Sequence, residues 1–228
     1  MPAPISVIIP TLNSEAELEA CMNMLLPGLT ANLVREVIIV DGGSNDRTGD
    51  LAFQWGARLI CASGKGRGRQ LRTGGLNAKG EWLLFLHSDT WLDQDWPDHV
   101  EDHMRTAPDM AAAFSLRYRS KDKQARWLEN RANKRARVLG LPYGDQGLFM
   151  SRAHYDRIGG FEDMPLMEDV DIVRRIGKKN LAILPGKAFT SAEKYERDGW
   201  RKRAYSNAFL LMRYYLGASP EKLAQDYR

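Results

Sequence analysis

The chain has 228 residues, 43% of them hydrophobic and 27% charged, with a formal net charge of +4. That length suits a single domain with its own core, and the composition excludes wholesale disorder. The mild positive balance suits an anionic small molecule or a membrane surface and falls short of what a nucleic-acid binder carries.

Cys21 and Cys61 lie in apolar stretches without a CxxC or metal-ligand pattern and read as buried free thiols. The opening MPAPISVIIP has no basic leader, and no stretch approaches the roughly 20 apolar residues that span a bilayer. These features point to a cytoplasmic protein, soluble or peripheral at the inner face of the membrane.

Residues 5–9 form a short apolar run ended by Pro10 and read as a buried strand. Ser14 is placed to cap a helix with Leu18, Met22, Leu25 and Leu26 along one side. Residues 36–40 are a second buried strand that stops at Asp41-Gly42-Gly43, and a helix starts at Asn45 or Asp46. Residues 57–61 are a third strand. The glycine-rich basic loop 64–68 leads into a helix ending near Gly80, and residues 82–86 are a fourth strand that stops at His87-Ser88-Asp89. Strands apolar on both faces, alternating with helices, predict a parallel sheet covered on each side. Further on, strands are expected at 110–118, 147–150 and 181–184, and helices at 124–139, 168–176, 200–216 and 220–227. No internal repeat or linker divides the chain, which reads as one domain over 1–228: a nucleotide-binding half (1–92), an acceptor half (93–198) and C-terminal helices (199–228).

In open α/β sheets, ligands sit beyond the carboxyl ends of the strands. Three such ends carry polar groups here: Pro10-Thr11-Leu12-Asn13, Asp41-Gly42-Gly43-Ser44 and His87-Ser88-Asp89. Asp41 can accept hydrogen bonds from a base or ribose, and its two glycines permit tight turning; the plain alternative is a turn with an Asp cap. Asp89 can bind Mg²⁺ or Mn²⁺ and thereby neutralise a diphosphate. His87 is either a metal ligand or a structural histidine. Lys65, Arg67 and Arg69 suit phosphate or nucleobase, although a solvated basic loop reads equally well. Glu168 and Asp169 enter a helix after a proline-containing loop, where acids are also simple helix caps; the functional reading is a general base for a hydroxyl. Asp145 and Gln146, in a polar turn, can line the acceptor side.

In order and spacing, VIIPTLNSE, VDGGSNDRT, FLHSDT and GGF…MEDVDIVRRI resemble family 2 glycosyltransferases. The whole chain resembles a small bacterial subfamily named for radical-enzyme and selenium-related gene neighbourhoods and arsenosugar biosynthesis. The strings that carry this are Gly66 to Gln70, His87 to Thr90, Tyr143 to Phe149, Pro165 to Asp171 and Ser219 to Arg228. The resemblance implies a GT-A fold: a Rossmann-like three-layer α/β/α sandwich with a mostly parallel mixed sheet. It further implies a donor site for a UDP- or GDP-linked sugar made by Pro10, Thr11, Asn13, Glu15, Asp41, Gly43, Ser44, Asp46, Arg67, Arg69, Ser88 and Asp89. Asp169 would be the base and Glu168 its orienting neighbour. Asp89 would hold Mg²⁺ or Mn²⁺, with His87 standing where relatives carry an acid. Inversion at the anomeric carbon and an unidentified hydroxyl acceptor follow.

Two other readings stand beside this one. A sugar-phosphate nucleotidyltransferase would place a glycine-rich basic loop after the first strand, where Pro10-Thr11-Leu12-Asn13 stands instead. A non-catalytic nucleotide-sugar-binding or membrane-docking protein is suggested by the aromatic and basic segment 200–216, which suits packing on the domain, on a second subunit or on a membrane.

Overall fold

The computed structural model describes residues 3–62 and 66–227. Gly64 and Lys65 of the expected basic loop, and Arg228 of the C-terminal string, lie outside the described residues. One mixed sheet is built from β1 (Ile5–Thr11), β2 (Val34–Asp41), β3 (Arg58–Cys61), β4 (Trp82–Phe85), β5 (Thr90–Leu92), β6 (Ala111–Tyr118), β7 (Leu148–Ser151) and β8 (Leu181–Thr190). Its order is β3-β2-β1-β4-β7-β6-β8-β5. Strands β3, β2, β1 and β4 run parallel, as the alternation of the first ninety residues predicts. Strand β7 reverses against β4 and β6, and β5 reverses against β8.

The helices are α1 (Glu15–Asn23), α2 (Leu26–Thr30), α3 (Thr48–Gln54), α4 (Arg67–Asn77), α5 (Trp96–Thr106), α6 (Lys123–Leu139), α7 (Arg152–Arg157), α8 (Glu168–Ile176), α9 (Glu193–Asp198), α10 (Trp200–Tyr215) and α11 (Pro220–Asp226). Strand β1 shows why the first run is apolar without alternation. Ile5, Val7 and Ile9 join the cluster packed by α1, α3 and α5, while Ile8 joins the one packed by α4 and α8. A strand covered on both faces has no polar side. A third cluster ties α6 and the start of α10 to β6 through Tyr118, Ala125, Ala132 and Trp200.

Several local expectations are corrected. Ser14 makes no side-chain cap; its hydroxyl meets the Leu12 amide and the Ser88 hydroxyl, and α1 starts from its backbone carbonyl. Leu26 is exposed and opens the separate helix α2. The second predicted helix begins at Thr48, because the Asp46 carboxylate takes the amides of Glu15 and Thr48 and holds the preceding residues as a loop. Cys21 is buried but Cys61, at the end of the sheet's edge strand β3, is exposed. Strand β8 runs on to Thr190 by pairing with β6 as far as Tyr118.

Candidate functional site

The strand order turns back at β1, with β2 and β3 on one side and β4 on the other. The crevice beyond this switch point therefore receives Thr11, Asp41 and the His87–Asp89 segment. Two of these ends are laced together. Asp41 Oδ1 accepts from Thr11 Oγ1 at 3.1 Å and from Ser44 Oγ at 2.5 Å, and Oδ2 accepts from the Gly43 and Ser44 amides at 2.9 and 2.8 Å. Burial pushes its pKa up, but the bonds from Ser44, Gly43 and Thr11 outweigh that and hold it below the usual carboxylate range. Asn13, in the left-handed region at φ 51°, donates its amide to Ser44 Oγ and accepts from the Asn45 amide. Glu15 accepts from the Arg47 amide. Pro10, Thr11, Asn13, Glu15, Asp41, Gly43, Ser44 and Asp46 thus belong to one preformed pair of loops.

Gln70 is a positioning residue that motif reading passes over. Its buried Nε2 donates to Thr11 O at 2.7 Å and Val40 O at 2.8 Å, fastening α4 to the ends of β1 and β2. The glycines of the same segment serve packing. A Cβ on Gly68 would stand 2.6 Å from the carbonyl oxygens of both Glu162 and Met164, so α4 can abut the 162–165 loop only because that side chain is absent. Arg69 is held by Asp163 at 2.6 Å and is not among the described residues that border the cavity around Arg67.

Arg67 faces inward. Its Nε lies 3.0 Å from Glu168 Oε1 and its Nη1 3.1 Å from His87 Nε2. Burial, the Arg67 charge and Lys194 push His87 well below its ordinary pKa, so the ring is neutral and accepts from the guanidinium. Glu168 follows Met167, whose backbone is left-handed at φ 68°, a costly conformation for a residue with a side chain. Asp169 Oδ2 accepts from the Gly144 amide at 2.9 Å and Oδ1 from the Val170 amide at 2.7 Å. A Cβ on Gly144 would lie 2.6 Å from His87 Nε2. The 143–147 turn, α8 and the end of β4 therefore meet closely.

Burial drives the Glu168 carboxyl from its ordinary value of 4.5 up to about 7, against the opposing pull of Arg67. Between those values the folded chain binds more protons than the unfolded one, so this group's contribution to stability falls as pH rises through the window. A Glu168→Gln variant does not titrate there. Thermal unfolding of both proteins at about pH 5 and about pH 7.5 should show the parent losing stability relative to the variant at the higher pH. An unchanged difference would mean that Glu168 is not buried as an acid.

Arg67, His87, Asp89, Glu168 and Asp169 border a cavity of about 960 Å³, the open solvent at its mouth included. Its far wall comes from residues to which sequence reading gave no role in the site: Tyr118, Tyr143, Tyr195, Asn207, Leu210 and Tyr227. Tyr143 and Tyr227 fall inside the strings 143–149 and 219–228, and Asn207 and Leu210 inside the aromatic and basic segment 200–216, whereas Tyr118 and Tyr195 carry no such signal. Asp145 also lines the cavity. Burial lifts its carboxyl to about 6, Arg135 pulling the other way, and its buried Oδ1 has no hydrogen-bond partner among the described residues. Gln146 does not line it; fully buried, it donates to Phe114 O at 2.8 Å, which corrects its expected acceptor-side place.

For Mg²⁺ or Mn²⁺, the donor chemistry centres on Asp89, whose carboxylate makes one long contact, 3.5 Å from Thr90 Oγ1. His87 accepts from Arg67, which favours the structural-histidine alternative over a share in the ligand set. Among the described residues no three His, Cys, Asp or Glu side chains converge on a metal site. This set fits a hard cation that takes its remaining ligands from substrate phosphate and water, as Mg²⁺ commonly does.

The family model described as Glycosyl transferase family 2 matches residues 6–160. A PGL/p-HBAD biosynthesis glycosyltransferase of Mycobacterium bovis (strain BCG / Pasteur 1173P2) is 40% identical over 99 residues, covering 40% of this chain and 38% of its own. The putative glycosyltransferase EpsH of Bacillus subtilis (strain 168) is 30% identical over 110 residues, 46% of this chain and 30% of its own. The match thus spans about a third of the length of these curated relatives. Among solved structures, residues 1–349 of S. aureus TarS superpose with a TM-score of 0.66 at 16% identity, covering 83% of this chain and 60% of that one. Glucosyl-3-phosphoglycerate synthase from Mycobacterium tuberculosis, in complex with Mn²⁺, UDP and glucosyl-3-phosphoglycerate, gives 0.58 at 22% identity, over 83% and 70%. These likenesses establish the shared GT-A fold.

Proposed function

The chain belongs to glycosyl transferase family 2, and on that footing we propose that it transfers a sugar from a nucleoside-diphosphate sugar to an acceptor hydroxyl, inverting the anomeric carbon. The observation that carries this reading is the meeting, in one cavity, of Asp89 and Arg67 on the donor side with Asp169 at the start of α8. The laced loops around Asp41 receive the nucleoside. Arg67 presents a fixed positive charge to the diphosphate. Asp89 would hold Mg²⁺ or Mn²⁺, which when bound supplies Lewis-acid neutralisation of the leaving diphosphate.

Asp169 takes the proton of the acceptor hydroxyl. The acceptor oxygen then bonds to the anomeric carbon from the face opposite the diphosphate. The carbon–oxygen bond to the diphosphate breaks, and its electron pair departs with the nucleotide. The unpartnered Oδ1 of Asp145 offers the acceptor a second hydrogen bond inside the tyrosine-lined wall. A UDP-linked donor is preferred to a GDP-linked one because TarS has been solved with UDP and with UDP-GlcNAc. The strings at 143–149, 165–171 and 219–228 support placement in the subfamily associated with arsenosugar biosynthesis.

Calorimetric titration tests the donor half directly. UDP should bind in the presence of Mn²⁺, and chelation of the metal should weaken it. Asp89→Ala should lower the affinity about tenfold or more, in keeping with the loss of a metal-holding carboxylate. Failure of every nucleoside diphosphate to bind, or unchanged binding in the variant, would remove the site assignment.

A further inference from the structure

Helix α10 has two dissimilar faces. Asn207, Leu210 and Leu211 border the cavity. Away from it, Tyr205, Phe209, Met212 and Leu216 are 71%, 55%, 49% and 79% exposed. Their spacing of four, three and four residues puts them on one stripe along about three turns. Scattered exposed apolar side chains are ordinary, whereas a continuous stripe marks an interaction surface.

The charge around this stripe is segregated. Helices α6 and α10 pack against each other and together carry ten lysines and arginines and one acid, Glu129, which is buried. The whole chain nets only +4, so these two helices hold far more than their share of the positive charge. Arg131, Lys134, Arg137, Arg201 and Lys202 are exposed. Helix α6 also exposes Trp127, with the Arg131 guanidinium 4.9 Å over its ring. Helices α9 and α11, which also pack on α10, add Glu193, Glu196, Asp198, Glu221 and Asp226, of which Asp198 and Asp226 pair with Arg203 and Arg213. The surface stays net basic, and aromatic and aliphatic side chains beside such a surface are the composition of helices that lie in a lipid interface.

We propose that this face docks on an anionic lipid bilayer. Phe209, Met212 and Leu216 enter the boundary between headgroups and acyl chains, and the exposed arginines and lysines sit among lipid phosphates. Among the described residues no helix is long and apolar enough to cross a membrane, so the contact is peripheral. Nucleic acid would use the basic groups and leave the Phe209–Met212–Leu216 stripe without a partner. A second copy of the chain would bring two strongly basic surfaces together, which like-charge repulsion opposes. Lipid docking goes beyond sugar transfer and needs neither donor nor acceptor, so its failure would leave the donor titration untouched.

The test is co-sedimentation of the full chain with vesicles of phosphatidylcholine alone and of phosphatidylcholine with about one third phosphatidylglycerol. The chain should pellet with the anionic vesicles and stay in solution with the neutral ones. Raising salt from about 0.1 M to about 0.5 M should release it as charge screening tightens. Phe209→Asp combined with Leu216→Asp, both outside the cavity, should keep the parental unfolding midpoint and lower vesicle partitioning about tenfold or more. Equal binding to both vesicle types, or undiminished binding by the double variant, would overturn the proposal. So would a dimer dissolved by the double variant, or retention on nucleic acid, in a chain that anionic vesicles leave in solution.

Discussion

Asp169→Asn is expected to lower turnover by a factor of about 10²–10⁴, the usual worth of a positioned general base, while nucleoside-diphosphate affinity stays close to that of the parent. Asparagine keeps the shape of the side chain, and its carbonyl can still accept the Gly144 amide bond that Asp169 Oδ2 now accepts, while its amide nitrogen gives up the bond that Oδ1 accepts from the adjacent Val170 amide. What it cannot do is take a proton. Measuring UDP released from a UDP-sugar, with water standing in for the unknown acceptor, alongside calorimetric binding of UDP would separate the two effects. Turnover within a few-fold of the parent would transfer the base role elsewhere. The two carboxyls lifted by burial, Glu168 and Asp145, would then be the next to replace.

Arg67→Met should be nearly as severe for a different reason. The guanidinium lies between Glu168 and His87, and in the proposed reaction its positive charge would meet the departing diphosphate. Losing such a preorganised group costs about 10²–10³ in rate. The substitution also strands Glu168, whose side chain is only 4% accessible, without its cation. Arg67 itself keeps 38% of its side chain accessible, so solvent softens the loss, and about 1–3 kcal/mol of stability is at stake. For a domain of this size that is a fall of several degrees in Tm. Arg67→Lys restores charge without the planar fork and should recover stability better than rate. If Arg67→Met turns over UDP-sugar within a few-fold of the parent, the arginine serves only as Glu168's partner.

Both predictions join residues from distant parts of the chain, and they show what motif reading does and does not reach. Asp41 was recognisable because a carboxylate directly after a buried strand, followed by glycines, is a local pattern. Its hydrogen bonds to Thr11 and Ser44 then add that the loop pair is preformed. Asp89 lacks such glycines, and its signal is the polar His87-Ser88-Asp89 stretch beyond the end of an apolar strand. Arg67 and Arg69 looked equivalent in sequence, two cations either side of Gly68. The packing of α4 against the 162–165 loop separates them, giving Arg69 to Asp163 and Arg67 to Glu168. Ser14, Asn45 and Asp46 misled for a related reason. Side chains that cap helices bond equally well to a neighbouring loop: the Ser14 hydroxyl meets Ser88, the Asp46 carboxylate is shared between the Glu15 and Thr48 amides, and the Asn45 backbone amide is taken by the Asn13 side chain.

By itself, the sequence determined the parallel first half of the sheet, the strand ends that carry polar groups and the family. Apolar runs and strand-end motifs are local, and burial on both faces leaves a direct compositional mark. Only the tertiary structure decided which cation serves the cavity, that Gln146 is buried away from it, and that Tyr195, Asn207 and Tyr227 close its far side. Those outcomes depend on how α8, α9 and α10 are set against strand ends far earlier in the chain. No periodicity within a segment encodes the placement of one segment on another.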